Sequence, residues 1–216
     1  MKKLLLIIMI FSFHFFGCKE EEDLIDTKIT AKEKLNEVIL KAQSDFAADA
    51  RLSAIYGREV STNGEIDLAN TSSVNGFIYI VQSDQLQSNE FYVPVFGAGP
   101  VKSPINFTTM LSFIKDSAAS GIMGSVFNKL ATVAIDPAAT YDDSPQAISK
   151  ALTAGGSAFM NQYTGSKIDM FLIPGKSIDT TLTVSNTADW IVNFYSSDKS
   201  LVLWIRGDNV NTISGN

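Results

Sequence analysis

Histidine and cysteine are almost missing from this chain. Its 216 residues hold one of each, His14 and Cys18, both within the first 18 positions. From residue 19 onward there is no imidazole and no thiol. That excludes Ser-His-Asp and Cys-His nucleophile pairs, and zinc or copper sites ligated by His or Cys. Catalysis would have to rest on carboxylates, Lys, Tyr or Ser. A single cysteine also rules out an internal disulfide. Basic clusters are absent too. The 17 Lys and Arg stand against 23 Asp and Glu, a net charge of −6, so a nucleic-acid backbone has no patch to bind and nucleic acid is not an expected partner. Long apolar runs are lacking with one exception, the 13 residues Leu4–Phe16, interrupted only by Ser12 and His14. That is too short to cross about 30 Å of hydrocarbon as a helix.

The run follows Met1-Lys2-Lys3 and is closed by Gly17-Cys18, after which Lys19-Glu20-Glu21-Glu22-Asp23 begins. A basic start, a short apolar core and a small residue before the cut is the layout of a secretory signal. Phe15-Phe16-Gly17-Cys18 resembles the lipobox of bacterial lipoproteins, departing from it at Phe15, where Leu is usual, and at Phe16, where a small residue is commoner. The resemblance implies that residues 1–17 are removed, that the Cys18 sulfur is lipidated and that the new N-terminus is acylated. The partner so implied is a membrane. The rival readings are an uncleaved anchor or a plain signal. An unpaired cysteine in an exported protein needs an explanation, and a thioether to lipid supplies one. Several acyl chains, each contributing about 0.8 kcal/mol per buried methylene, anchor far more firmly than one.

Removing 17 of the 216 residues leaves 199, and the loss of Lys2 and Lys3 takes the net charge from −6 to −8. Residues 18–29 read as a lipidated tether. Lys19 in place of Asp resembles lipoproteins that are not kept at the inner membrane, which implies an outer-membrane location in the cell envelope. The acidic residues after Cys18 resemble the surface-export signals of some lipoproteins, or serve as a soluble spacer; both readings stand.

Further along, Thr30-x-x-Glu33 has capping-box spacing. Leu35, Val38, Ile39, Ala42, Phe46, Ala50 and Ile55 recur at three- and four-residue intervals, which predicts an amphipathic helix over 31–56 stopped by Gly57. Arg58–Ser61 and Glu65–Ala69 flank the turn pair Asn63-Gly64. Phe77–Val81 and Glu90–Phe96 read as strands, with Pro94 favouring an edge. Residues 101–143 suggest short helices at 107–115 and 126–130, separated around Gly121 and Gly124. Ser144-Pro145 reads as an N-cap with Pro at N1, opening a helix that Gly155-Gly156 stops. Lys167–Ile173 reads as a strand, and Gly175–Asn186 as a polar loop. Trp190–Tyr195, the turn Ser196–Lys199 and Leu201–Arg206 read as a closing hairpin.

The two halves repeat this plan of helix, glycine stop, strand, loop and aromatic hairpin. Phe77–Val81 with Phe91–Gly97 answers Trp190–Tyr195 with Leu201–Gly207. The plan resembles the PepSY-like, cystatin-like α+β modules of bacterial envelope proteins. Tandem copies of a related module build the β-lactamase-inhibitor-protein fold. The expected class is therefore α+β, with two helix-on-antiparallel-sheet modules at 30–100 and 144–216 joined by a partly helical segment at 101–143. In Trp190–Tyr195 the alternation puts Trp190, Val192 and Phe194 on one face and Ile191, Asn193 and Tyr195 on the other. In the return strand Leu201, Leu203 and Ile205 oppose Val202, Trp204 and Arg206. If the first sets are core, Tyr195 and Trp204 project outward and are candidate anchors for a protein or peptide partner, unless loops or the other module cover them.

Other motifs are weak. Ser112-x-x-Lys115 and Ser196-x-x-Lys199 both have the spacing of penicillin-binding enzymes, but no Lys-Thr-Gly accompanies them. Asp142-Asp143 lacks the surrounding ligands of a calcium loop and reads as an approach to the Ser144 cap. The glycines at 97, 99, 121 and 124 lack the Lys-Ser/Thr of a phosphate loop. No cofactor and no metal site is expected. The expected function is a lipid-anchored, non-enzymatic envelope protein that binds a protein or peptide through a sheet surface. Its alternatives are an inhibitor of a secreted or periplasmic enzyme of the protease or β-lactamase class, a histidine-free hydrolase, and a purely structural component.

Overall fold

A computed structural model describes residues 27–70, 75–114, 116–175 and 183–215. The signal, Cys18 and the tether up to residue 26 lie outside the described residues, as does Lys115. In chain order the elements are β1 (Lys28–Ile29), α1 (Leu35–Asp45), β2 (Arg51–Arg58), β3 (Ile66–Asp67), β4 (Gly76–Ser83), β5 (Ser88–Val95) and β6 (Gly99–Lys102). Then come α2 (Phe107–Phe113), α3 (Ser117–Leu130), β7 (Ala134–Ile135), α4 (Ser144–Ala151), a wide helical turn at Leu152–Gly156, and α5 (Ser157–Gln162). The chain continues through β8 (Lys167–Pro174), β9 (Val184–Ser185), β10 (Ala188–Tyr195), β11 (Ser200–Arg206) and β12 (Asn209–Gly215).

The expected α+β class holds. Eight strands form one antiparallel sheet in the order β12-β11-β10-β8-β2-β4-β5-β6. Each half of the chain contributes four adjacent strands, and the two sets meet where β2 pairs with β8, Tyr56 standing opposite Phe171. Both faces of this sheet are covered. On one face Leu52, Ile55, Tyr79, Met170, Leu172, Trp190, Val192 and Phe194 pack under Val38 and Ala42 of α1, Ala147, Ile148 and Ala151 of α4, and Phe159 of α5. On the other, Ala54, Tyr56, Ile78, Ile80, Phe91, Phe171, Ile191 and Val202 pack under α2 and α3.

The strand alternation expected for β10 and β11 is observed, with each set on its assigned face. Five expectations about the elements need correction. First, α1 ends at Asp45, and residues 51–58 form a central strand instead of the last turns of a helix. A bulge between Leu52 and Ala54 breaks the alternation, so Leu52 and Ile55 share a face at three-residue spacing. That imitates a helical period. Gly57 is no helix stop. It lies inside β2, where a Cβ would sit 2.7 Å from Val60 and 2.8 Å from Phe77.

Second, α3 runs straight through Gly121 and Gly124. Each glycine costs a helix about 1 kcal/mol against Ala. That is outweighed by burying Met123, Phe127 and Leu130, at about 2 kcal/mol each. Third, Asp143, not Ser144, caps α4, its Oδ1 accepting from the Ser144 amide at 2.7 Å and the Lys32 amide at 3.0 Å. The Ser144 hydroxyl oxygen instead accepts from the Ala31 amide at 2.9 Å. Gly155, at φ +130°, kinks the chain from α4 into α5 without ending the helical stretch. Glu65–Ala69 does not pair with Arg58–Ser61 as a hairpin: Ile66 and Asp67 pair with β1, although the Ser61 amide donates to the Glu65 carbonyl at 3.0 Å and closes the Asn63-Gly64 turn.

Candidate functional site

Tyr195 and Trp204 lie on the face expected for them, but α2 and α3 cover that face. Tyr195 is buried, and its hydroxyl donates to Asp169 Oδ1 at 3.3 Å. Trp204 is half-buried, and its indole N–H donates to Asp189 Oδ2 at 3.0 Å, as does Arg206 Nε. The expectation that these aromatics stand exposed is therefore corrected. The reason lies between the modules: residues 107–130 fold back over the sheet, and no local pattern in β10 or β11 announces that cover.

Beneath the cover lies a polar cluster that sequence reasoning missed. Asp169 on β8 is 1% exposed. It accepts from the Tyr56 hydroxyl at 2.9 Å and the Glu59 amide at 2.9 Å. Burial pushes its carboxyl up to about 6, against the pull of those donors and of the Arg58 guanidinium. Burial likewise holds the Tyr56 and Tyr195 hydroxyls well above the usual phenol range. Tyr56 stacks on Phe171 with centroids 4.5 Å apart and planes 9° apart. Asn193 pairs with Asp169 across the ladder and is fully buried. Neither atom of its side-chain amide meets a hydrogen-bond partner among the described residues. A signal was available in sequence: Asp169 is the one acidic residue inside the strand Lys167–Ile173. Tyr56, Asp169, Asn193 and Tyr195 are all buried, so the cluster presents no open surface to a ligand.

An open cleft of about 480 Å³ lies between α1, the start of β2 and the segment after β7. Leu35, Ile39, Leu52, Ile135, Ala139 and Tyr141 supply apolar walls. α1 places Leu35 and Ile39 one turn apart on one side of the helix. The charged groups around the rim, and Gln43, are already engaged. Lys32 Nζ donates to the Tyr141 carbonyl and sits 4.0 Å from the centre of the Tyr141 ring. Gln43 donates to the Ala50 carbonyl at 3.3 Å, Arg51 pairs with Asp84, and Asp136 Oδ1 accepts from the Ala138 amide at 2.8 Å. Burial pushes the Tyr141 hydroxyl up to about 12. Such a cleft suits apolar side chains and offers few unpaired polar groups for orienting a polar ligand.

The remaining motifs sort into structural roles. The Ser112 hydroxyl donates to the Thr109 carbonyl at 2.7 Å within α2, and its intended partner Lys115 is outside the described residues. The Ser196 amide donates to the Lys199 carbonyl at 2.9 Å and closes the β10–β11 turn. Asp142 accepts from Lys150 Nζ at 2.7 Å. Among the described residues, no group of three His, Cys, Asp or Glu is placed to hold a metal ion, and no helix is long and apolar enough to cross a membrane. Comparison with protein-family models, with curated proteins and with solved structures finds no match to this chain.

Proposed function

We propose that this is a non-enzymatic protein of the bacterial cell envelope, anchored by lipid on Cys18, that holds an apolar segment of a protein or peptide in the α1 cleft. The observation that carries the binding reading is the cleft itself: about 480 Å³, aliphatic-walled, with its charged rim groups paired within the protein. A volume in the range of about 300–1,000 Å³ is what small ligands and single side-chain anchors fill. The anchor rests on the apolar run Leu4–Phe16 and the Gly17-Cys18 that ends it. The partner surface moves from the sheet face to the cleft because helices cover both faces.

A second reading, an inhibitor of a secreted or periplasmic enzyme built from two PepSY-like modules, is favoured by one observation. Each half contributes four adjacent strands to a single sheet, and α1 and α4 lie on the same side of it.

The test has two arms. The mass of the mature N-terminal peptide from the membrane fraction is expected to show an acylated Cys18, lost together with membrane retention in Cys18→Ala. An array of apolar peptides is then probed with the mature protein and with Ile39→Glu. Roughly tenfold weaker binding by the variant, about 1.4 kcal/mol, at an unchanged melting temperature supports the cleft. Equal binding by both proteins refutes it.

A further inference from the structure

The β5–β6 hairpin carries an apolar patch that the α1 cleft does not use. Val95, Phe96 and Val101 are 41%, 45% and 36% exposed, three of the five large apolar side chains most open to solvent among the described residues. Scattered exposed apolar residues are ordinary, but a cluster at one tip is not. The tip is a fixed turn. Gly97 and Gly99 adopt φ of +73° and +72°, conformations that glycine takes without steric cost, and the Ala98 amide donates to the Val95 carbonyl at 3.1 Å. Phe96 sits in this turn, half-exposed and walling the depressions beside it.

The patch stands beside the point where the chain enters the fold. Thr27 accepts at its carbonyl from the Leu68 amide at 2.9 Å, and its hydroxyl donates to Asp67 at 2.7 Å. Leu68 shares with Val95 and Phe96 the walls of two depressions, of about 280 and 400 Å³, on either side of the hairpin. Thr27 follows Cys18 by nine positions, with eight residues between them. Whatever its conformation, that stretch reaches no further than about 30 Å. A domain of this size is about 40 Å across. A lipid on Cys18 therefore holds Thr27 within about 30 Å of the bilayer, less than the width of the domain, so that the hairpin beside it is within reach of the surface.

We propose that the Val95-Phe96-Val101 tip docks on the lipid surface and sets the orientation of the anchored domain. This rests on the lipid-anchor reading. Tethering at short range raises the local concentration of lipid enough for three apolar side chains to engage. Glu33, Lys34 and Glu37 line the neighbouring depression, with Lys34 paired to Glu37, so no excess of positive charge calls for anionic headgroups and the tip suits a zwitterionic bilayer. Phe96 enters the boundary between headgroups and acyl chains.

The test reconstitutes the full acylated protein in phosphatidylcholine–phosphatidylethanolamine vesicles containing brominated lipid, with Phe96→Trp and Leu86→Trp compared against wild type. Leu86 is 53% exposed and lies in the β4–β5 turn, at the far end of β5 from the tip. The native tryptophans are buried or half-buried and supply the background. The expected result is roughly half of the added fluorescence quenched in Phe96→Trp, none in Leu86→Trp, and no change in 0.5 M salt, as insertion at about 5–10 Å depth requires. Equal quenching at both positions, or none at either with Cys18 acylated by mass, overturns the docking and leaves the anchor standing. Absent quenching with a dimer that Phe96→Glu dissociates assigns the tip to a second copy and also overturns it. A Cys18 without acyl chains removes the anchor and the docking together.

Discussion

Asp169→Asn probes the one strongly perturbed carboxylate in the sheet. Asp169 lies at 1% exposure, and burial raises its carboxyl to about 6 from 3.8. The folded state therefore binds its proton more tightly than the unfolded chain does. The resulting stability is fully present below about pH 4 and is lost as the pH rises through about 6. A shift of about 2 pKa units corresponds to about 3 kcal/mol. Urea unfolding of wild type and Asp169→Asn between pH 4 and pH 8 is the assay. Every other titrating group acts on both proteins alike, so the difference between them isolates this side chain. Wild type is expected to gain about 2.5 kcal/mol on the variant as pH falls from 7 to 4, and Asp169→Asn is expected to lose least, or to be the more stable protein, at pH 8. A flat difference would mean that the carboxylate does not titrate near 6. A gap that widens in favour of wild type as pH rises would mean that Tyr56, Tyr195, the Glu59 amide and Arg58 over-compensate burial. Either result refutes the argument.

Three glycine substitutions should move stability, two of them upward and one downward. Gly121→Ala and Gly124→Ala meet no neighbouring atom within 4 Å and should each add about 0.5–1 kcal/mol, read as a rise of about 1–4 °C in melting temperature; a fall would mean that α3 is not helical through them. Gly64→Ala combines φ +78° with a Cβ 2.5 Å from the backbone nitrogen of Pro145. It should cost about 2 kcal/mol or more, and a variant as stable as wild type by urea titration would show that the turn does not press on the start of α4.

The strands at 77–81, 90–96, 167–173, 190–195 and 201–206 were legible because each is a β-branched and aromatic run closed by turn residues. β2 was not. Arg51–Arg58 contains Ala, Ser and Gly, and nothing local marks it as the strand that joins the two halves of the sheet. Its place comes from β4 and β8 on either side, and the bulge at Ser53 disguised its period. The Ser53 hydroxyl lies 2.8 Å from both the Leu130 and Val133 carbonyls, a contact spanning more than 75 positions. β12, with Asn209, Asn211, Thr212 and Ser214, reads as a polar tail and becomes a strand only because β11 offers it an edge.

By itself, the sequence determined the α+β class, the alternation within β10 and β11, the absence of His and Cys chemistry beyond residue 18, and the lipobox-like Phe15–Cys18. These depend on neighbours a few positions apart or on composition, which chain order preserves. Only the tertiary structure decided that α2 and α3 cover the face bearing Trp204, that Asp169 and Tyr195 are buried, and that the cleft opens beside α1. It also decided that Phe96 stands next to the chain's entry at Thr27. Each of these depends on segments tens of residues apart meeting in space. The free energy that brings them together comes from apolar area buried across the whole sheet, a sum that no local window contains.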